Sequence, residues 1–263
     1  MHKPQLIRTI PSSVSEENTK SALLEYGKNW FYDFIFSNGA STVAPDEITG
    51  AIHRTRAELI LPLLDSLFDG RWHEIRCLDI ACHQGWFATQ VALRGAQEVI
   101  GIDIREEHID MATTIKNLSC LKNIAFRKQN LFDLSKEPDE KFDLTLFLGI
   151  LYHLDNPLEA LSLIRSLTRQ ICIIESQIAR SDAELECLWG SGAARKGPGI
   201  AIVPSDECHV EGNRRVVLVP SLKALYAMLQ AVGFDRLYLC VPHRTACEQY
   251  RNYDRVVLLA SVL

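Results

Sequence analysis

The sequence predicts an α/β protein with a mostly parallel sheet of seven strands, helices on both faces of the sheet and a helical N-terminal extension. Two observations support this fold. Between residues 75 and 175, short apolar runs alternate with amphipathic stretches at helical spacing, which is typical of a parallel sheet. Towards the C-terminus, two further apolar runs follow a helix and can form a hairpin, which would place one antiparallel strand in the sheet.

Residues 1–74 are predicted to be helical and irregular and to cover the mouth of a substrate site. The aromatic run at 30–36 predicts a short strand, closed by a turn at Asn38-Gly39. After Asp46, apolar residues recur at helical spacing as far as Leu67. We therefore expect a helix there with Asp46 as its N-cap, leading into the main domain.

The main domain is predicted to span residues 75–263. Its strands are expected at 75–80, 98–102, 124–127, 142–148, 171–175, 236–241 and 255–262, and its helices at 86–94, 106–118, 157–167 and 221–232. Asn156 and Pro157 favour a helix start, and Gly233 favours a helix end. Residues 176–216 contain glycine-rich turns and interrupt the alternation of strands and helices. We therefore expect a long irregular insertion on the substrate side, or a lid.

Composition narrows the classes of function. Hydrophobic residues make up 47% of the chain and charged residues 23%, and the formal net charge of −5 gives no basic field that would attract nucleic acid. The eight cysteines are scattered without a C-x-x-C pair, which favours a reduced, cytoplasmic protein. No apolar run is long enough to cross a membrane, and no signal-peptide pattern is present, so we expect a protein without a membrane partner.

The strongest local signal lies where the first two predicted strands end. The first strand leads through Asp79 into a turn, residues 81–85, and then into a helix. Such a turn directs backbone N–H groups and a helix N-terminus at a ligand above the sheet edge. The second strand ends at Asp103, where a carboxylate can bind a ribose diol. The two acids and the turn predict a nucleoside-shaped site.

These segments resemble the class I S-adenosylmethionine-dependent methyltransferases. Asp79 to Gly85 resembles the first motif of that family, Asp103 matches its ribose-binding acid, Asn130 falls near the adenine, and 142–154 resembles its fourth strand and active-site segment. The resemblance covers about residues 75–175 and implies a Rossmann-like fold and methyl transfer from S-adenosyl-L-methionine. It implies cofactor contacts from Asp79, Ala81, His83, Gly85, Asp103, Ile104, Asn130, Leu131 and Leu148.

The turn departs from the family pattern at two positions. Ala81 and His83 stand where the family usually has glycine, and only Gly85 remains. A side chain at such a position can hold an unfavourable φ or approach the ligand. We expect a functional turn in which His83 points away, with a ligand or catalytic role for His83 as the alternative.

A narrower resemblance concerns the tRNA wobble-uridine carboxymethyltransferase group and its relatives. Residues 148–159, with the pattern G-x-L-Y-H, and residues 217–222, with Pro220-Ser221, are similar to segments of that group, and 30–32 with 38–39 are similar to a segment of the relatives. The resemblance implies that Tyr152 contacts the transferred group, which in that group comes from a carboxylated form of the cofactor. The strongly basic N-terminal half of that enzyme is absent here.

Tyr152 and His153 follow the fourth strand, at the sheet edge where an acceptor would lie. Methyl transfer from a sulfonium requires alignment and, for a hydroxyl acceptor, removal of a proton. We therefore predict His153 as the base and Tyr152 as the positioning residue. The alternative is structural: one ring packs in the core and the other caps the next helix.

Two weaker clusters remain. Asp206, Glu207, Cys208 and His209 are adjacent and cannot all converge on one ion, so we expect no metal site. The basic residues Arg195, Lys196, Arg214, Arg215 and Arg244 are either a patch for an anionic substrate or solvated surface.

Three hypotheses of function remain from the sequence. The first is a methyltransferase acting on a small metabolite hydroxyl or a sugar, favoured by the acidic charge and by the insertion. The second is a tRNA-modifying transferase, favoured by Tyr152-His153 and Pro220-Ser221. The third is a non-catalytic binding protein with the same fold, suggested by Ala81 and His83. A nicotinamide-dependent dehydrogenase is disfavoured because no G-x-G-x-x-G pattern is present.

Overall fold

A seven-stranded sheet organises the chain. The computed structural model of the protein describes residues 6–136, 140–180, 185–189, 193–204 and 216–262. The strands are β1 (Arg76–Ile80), β2 (Glu98–Asp103), β3 (Ile124–Lys128), β4 (Phe142–Leu148), β5 (Thr168–Gln177), β6 (Leu185–Trp189), β7 (Ala193–Gly197), β8 (Ile200–Pro204), β9 (Val216–Pro220), β10 (Arg236–Leu239) and β11 (Arg255–Ser261).

The strand order in the main sheet is β10-β11-β5-β4-β1-β2-β3. Strand β11 is antiparallel to both of its neighbours, and the other pairs are parallel. The predicted fold class and the single antiparallel strand are therefore confirmed. Strand β5 is longer than the predicted 171–175 because β4 and β11 pair along its two edges.

Helices cover both faces of this sheet. They are α1 (Glu16–Leu24), α2 (Glu47–Phe68), α3 (Trp86–Leu93), α4 (Glu106–Leu118), α5 (Pro157–Leu167), α6 (Leu222–Ala231) and α7 (Glu248–Arg251), with 3₁₀ turns at Trp72–Glu74, Leu131–Lys136 and Leu151–His153. Because side chains alternate along β1, Cys77 packs with α2, α3 and α4, whereas Leu78 packs with α5 and α6. The sheet thus lies between two apolar layers.

Short polar residues fix the helix starts as the sequence predicted. The Asp46 carboxylate accepts a hydrogen bond from Thr49 N at 2.8 Å and begins α2. The side chain of Asn156 caps α5, whose first residue is Pro157. Such caps satisfy backbone donors that have no partner within the helix.

The predicted strand at 30–36 is wrong. Only isolated bridges form, between Ile10 and Phe36 and between Ile35 and Ser41. The reason is that side chains take the backbone donors of this segment: Phe31 N donates to Gln84 Oε1 and Phe34 N to Thr42 Oγ1. The turn at residues 38–39 is present, with Gly39 at φ +94°.

The irregular structure predicted for 176–216 is also wrong in its described parts. Strands β6 and β7 pair antiparallel, and β8 pairs antiparallel with β9. Strand β7 ends at Gly197 and β8 begins at Ile200, so short paired strands stand where irregular structure was expected. Residues 181–184, 190–192 and 205–215 lie outside the described residues.

The N-terminal extension shares its core with the main domain. Ile10, Trp30 and Phe34 belong to the same apolar cluster as Phe87 on α3. The boundary at residue 74 remains a prediction. Within the described ranges, no helix is both long and apolar enough to span a membrane.

Candidate active site

A cavity of about 970 Å³ opens at the carboxyl edge of the sheet. Its walls come from the turn after β1, the end of β2, the segments after β3 and β4, helix α2, and residues of β8, β9 and β11. The volume lies within the range of about 300–1,000 Å³ that is usual for small-molecule sites. Of the predicted site residues, the cavity is lined by Ala81, His83, Asp103, Ile104, Asn130, Leu131, Leu148, Tyr152 and His153.

The turn after β1 is left-handed at three alternate positions. Ala81 has φ +54°, His83 has φ +52° and Gly85 has φ +73°. The chain therefore keeps a glycine-type backbone without the first two glycines and carries the strain of two L residues there. Hydrogen bonds from Cys82 N to Ile102 O and from Gly85 N to Cys82 O hold the turn.

Gly85 does not line the cavity but allows the Phe126 ring to pack closely against the turn. A Cβ at this position would lie 2.4 Å from the ring of Phe126 on β3. The glycine is required both by its positive φ and by this close approach.

Asp79 also lies outside the cavity lining. Its Oδ2 accepts a hydrogen bond from Ala88 N at 3.0 Å, which anchors the first turn of α3 below the cavity. Burial raises the pKa of the Asp79 carboxyl to about 7, although the Ala88 hydrogen bond opposes this shift. Asp79 therefore orders the turn and the start of α3, and its cofactor contact stays a prediction.

Asp103 lies at the end of β2 with both oxygens in use. Its Oδ2 accepts from His83 N at 3.0 Å and its Oδ1 from Arg105 N at 2.9 Å, and His108 Nδ1 lies 3.4 Å from Oδ1. Burial disfavours its ionisation, but His108 and the two backbone donors hold the pKa of Asp103 below the ordinary value. A charged acceptor group is thus preformed at the predicted ribose position.

The His83 ring lies in the cavity wall rather than pointing away, contrary to expectation. It stacks on Phe31 with a centroid distance of 4.8 Å and on His108 at 3.7 Å, both at 26°. Burial, followed by the neighbouring His108, lowers the pKa of His83 to about 3, so the ring is neutral near pH 7.

The next wall follows β3. Asn130 Oδ1 accepts from Phe132 N at 3.0 Å and shapes the loop that presents Leu131. Across the cavity, Leu148 ends β4. Leu131, Leu148 and Ile104 supply the apolar contacts that a flat aromatic base needs.

Tyr152 and His153 lie together on the 3₁₀ turn after β4. Their rings are 4.2 Å apart and both line the cavity, although Tyr152 is only 6% exposed. Their catalytic and positioning roles stay predictions. The Tyr152 hydroxyl accepts a hydrogen bond from Arg255 Nη2 at 3.3 Å.

A buried charge cluster behind Tyr152 was not predicted. Glu175 is fully buried at the end of β5; Arg56 Nη2 and Arg255 Nη1 each lie 3.1 Å from one of its oxygens, and the Tyr250 hydroxyl donates to it at 2.8 Å. Burial disfavours ionisation, but Arg56 and Arg255 hold the pKa of Glu175 below the ordinary value. We call Arg56, Glu175, Tyr250 and Arg255 the arginine–glutamate cluster. Two signals in the sequence could have indicated this cluster. One is a glutamate at the end of an apolar strand, and the other is an arginine on the apolar stripe of a helix.

The N-terminal extension forms part of the cavity wall. Phe31, Tyr32 and His53 line it, although none was predicted as a site residue. Gln84 ties this segment to the turn, since its Oε1 accepts from Phe31 N and its Nε2 donates to Asn29 O, both at 2.8 Å. The extension therefore contributes side chains to the cavity, and its role as a cover stays a prediction.

Two clusters from the sequence cannot be placed. Residues 206–209 and Arg214-Arg215 lie outside the described residues, and nothing is described of the Arg195 side chain. In the part of the chain that the structure describes, no three His, Cys, Asp or Glu side chains converge as a metal site. Lys196 and Arg244 are exposed.

Comparison with known proteins bears on the fold and the domain type. Residues 73–197 match the family model described as "Methyltransferase domain". The chain is 28% identical over 180 residues to a tRNA U34 carboxymethyltransferase of Haemophilus influenzae (strain PittEE) and 29% identical over 181 residues to that of Pasteurella multocida (strain Pm70). Each match covers 67% of this chain and 50% of the relative, so the chain spans about half the length of these relatives.

Solved structures share the fold over nearly the whole chain. The N-terminal domain of EvdMO1, crystallised with SAH and D-fucose, superposes with a TM-score of 0.65 at 20% identity, covering 94% of this chain and 96% of that one. Magnesium protoporphyrin IX methyltransferase from Synechocystis PCC 6803 with bound SAH gives a TM-score of 0.56 at 18% identity, covering 93% and 100%. The Rossmann-like methyltransferase architecture expected from the motifs is confirmed.

Proposed function

We propose that this chain, which carries a class I S-adenosylmethionine-dependent methyltransferase domain, transfers a methyl group to a hydroxyl of a small acceptor. The observation that carries the proposal is one cavity with two chemically different ends. The turn after β1, Asp103 and Asn130 form the cofactor end. Tyr152, His153, His53 and Arg56 form the other end, which is called the acceptor end below.

The residues present fit the cofactor. S-adenosylmethionine supplies a methyl group already activated by its sulfonium centre. Asp103 keeps a charged carboxylate at the cavity surface for a ribose diol, and Ile104 and Leu131 provide apolar walls. The left-handed turn takes its backbone course despite Ala81 and His83, which supports cofactor binding at this turn.

The acceptor end supports an in-line displacement. As the acceptor oxygen forms its bond to the methyl carbon, the carbon–sulfur bond breaks and the electron pair stays on sulfur. We assign Tyr152 to hold the acceptor oxygen in line, because Arg255 fixes its hydroxyl. We assign His153 to receive the hydroxyl proton. Alignment by fixed side chains is the larger contribution in such reactions.

A second candidate is the modification of a tRNA wobble uridine. The similarity to the two named U34 carboxymethyltransferases favours it. A carboxylated donor would place its negative charge near Tyr152, where two arginines face a single glutamate. The net charge of −5 favours the small acceptor instead.

The first experiment is calorimetric titration of the purified chain with S-adenosylmethionine and S-adenosylhomocysteine. We expect micromolar binding of both, lost or reduced at least tenfold in Asp103→Ala, because a charged hydrogen bond to the ribose contributes about 1.5–3 kcal/mol. Asp110→Ala, on the same side of the sheet but outside the cavity lining, is the matched control. Absence of binding to the wild-type chain would favour the third hypothesis, a non-catalytic protein with this fold.

The acceptor is then sought with S-adenosylmethionine labelled in its methyl group. The assay compares D-fucose, the sugar present with the EvdMO1 domain, other hexoses and bulk tRNA. Label in a sugar supports the proposed function. Label in tRNA alone supports the second candidate.

A further inference from the structure

His53 lies on the face of α2 that forms one wall of the acceptor end. Thr49, Ile52, His53 and Arg56 line the cavity from this helix, at the three- and four-residue spacing that places side chains on one face. Further along α2, the inward residues are apolar and fully buried, as with Ile60 and Leu64. The side chains that α2 directs into the cavity therefore include the polar groups of Thr49, His53 and Arg56.

Two aromatic rings fix the orientation of His53. Tyr32 stacks on it with a centroid distance of 4.1 Å at 20°, and the Phe31 ring meets it at 4.7 Å and 62°. Its Nδ1 is buried and has no hydrogen-bond partner among the described residues. An unpaired buried polar atom destabilises a protein, and a ligand held in this cavity can supply the partner that the protein does not.

The ring is uncharged. Burial, then Arg56 on the same helix, His83 on the turn and Arg255 on β11, lowers the pKa of His53 to about 2. An imidazole in this state can exchange hydrogen bonds with a hydroxyl but is too weak a base to remove its proton. His53 is therefore suited to binding, and proton removal stays with His153.

The neighbouring polar groups are already engaged. Arg56 and Arg255 pair with Glu175, and Tyr152 pairs with Arg255. At the cofactor end, Asp103 accepts from two backbone donors. The two guanidinium groups are directed at Glu175, whereas the His53 ring nitrogen is not committed to this cluster.

We propose that His53 binds the acceptor, its imidazole hydrogen-bonding a hydroxyl of a small, uncharged, polyhydroxylated molecule of the hexose class. The ring of Phe31 lines the cavity and supplies an apolar surface for the C–H face of such a molecule, whereas the Tyr32 ring is stacked between His53 and Trp86. This assignment rests on the proposed function, because it names the substrate class of the same site. It adds a substrate-binding residue outside the motif-bearing segment 75–175.

The test measures D-fucose and D-glucose binding to the full chain saturated with S-adenosylhomocysteine, by ligand-observed NMR titration. His53→Phe keeps an aromatic ring for stacking but removes both nitrogens, and we expect roughly tenfold weaker sugar binding. His53→Asn restores a short hydrogen-bonding group and should recover part of the affinity. His73→Phe, an exposed histidine outside the cavity, is the matched control and should change nothing. S-adenosylhomocysteine affinity should be equal in all four proteins.

Equal sugar affinity in His53→Phe and wild type would overturn the inference. So would the failure of both sugars to bind a wild-type chain that binds S-adenosylhomocysteine, and the proposed methyl transfer would then still stand. Failure to bind S-adenosylhomocysteine at all rejects the proposed function itself. Should His53→Phe not fold, ¹⁵N-histidine labelling of the wild type decides: D-fucose must move the ring nitrogen resonances of His53, and their constancy contradicts the assignment.

Discussion

The two ends of the cavity are held in different ways. At the cofactor end, residues 81–85 and Asp103 are positioned by backbone hydrogen bonds and by tight packing between adjacent strands. At the acceptor end, the arginine–glutamate cluster joins residues that are up to 194 positions apart in the chain. The cofactor end therefore depends on local backbone geometry, whereas the acceptor end depends on paired charges from distant segments.

Removing the centre of the arginine–glutamate cluster should have the largest effect. Glu175→Gln leaves two buried guanidinium groups without their counter-charge, and we expect a loss of about 3–5 kcal/mol in the free energy of unfolding. Urea denaturation measures it. Glu74→Gln, in an exposed ion pair with Arg71, is the control and should change stability by less than about 1 kcal/mol. Comparable losses in both variants would show that the acceptor end is not held by charge.

A substitution that disturbs packing at the cofactor end should cause the second-largest loss of unfolding free energy. Gly85→Ala places a methyl group against Phe126, with an expected loss of roughly 2–4 kcal/mol from strain and overpacking. Gly70→Ala is a matched control, because Gly70 has a similar φ of +72° but no atom within 4 Å of the added Cβ. It should cost about 1 kcal/mol, the backbone term alone. Equal losses measured by urea denaturation would remove the role assigned to the Phe126 contact.

Asp79 makes the cofactor end sensitive to pH. Its pKa of about 7 in the folded chain lies above the ordinary value, so its contribution to stability is fully present below about pH 4 and is lost as pH rises through 7. Asp79→Asn should remove this loss, which amounts to at most about 1.4 kcal/mol per pH unit between these limits. The difference in unfolding free energy between variant and wild type, measured at pH 5, 6, 7 and 8, tests it. A difference independent of pH would contradict the shift.

The smallest effect is expected from the Tyr152 hydroxyl. Tyr152→Phe removes one hydrogen bond from Arg255 and should cost about 1 kcal/mol of stability. If Tyr152 positions the acceptor, methyl transfer should fall further than this, with kcat reduced and S-adenosylhomocysteine affinity unchanged. Tyr238→Phe, an exposed tyrosine on β10, is the control. An unchanged kcat in Tyr152→Phe would remove Tyr152 from the acceptor end.

Much of the fold could be predicted because the patterns that encode it are local. The alternation of strands and helices between residues 75 and 175, the cap at Asp46 and the turn at 38–39 each depend on neighbouring residues. The short strand at 30–36 was wrong because Gln84 and Thr42 side chains compete for its backbone donors. That competition cannot be read from the segment itself.

The sequence alone determined the alternation of strands and helices, the mostly parallel sheet and the edge to which Asp103 and Tyr152 belong, because parallel strands bring their carboxyl ends together. Only the tertiary structure decided which side chains complete the cavity. Arg56, His53 and Phe31 from the N-terminal extension join Glu175 and Arg255 from the far strands. Contacts between distant segments carry no periodic signal along the chain, so burial and pairing appear only when the elements are packed.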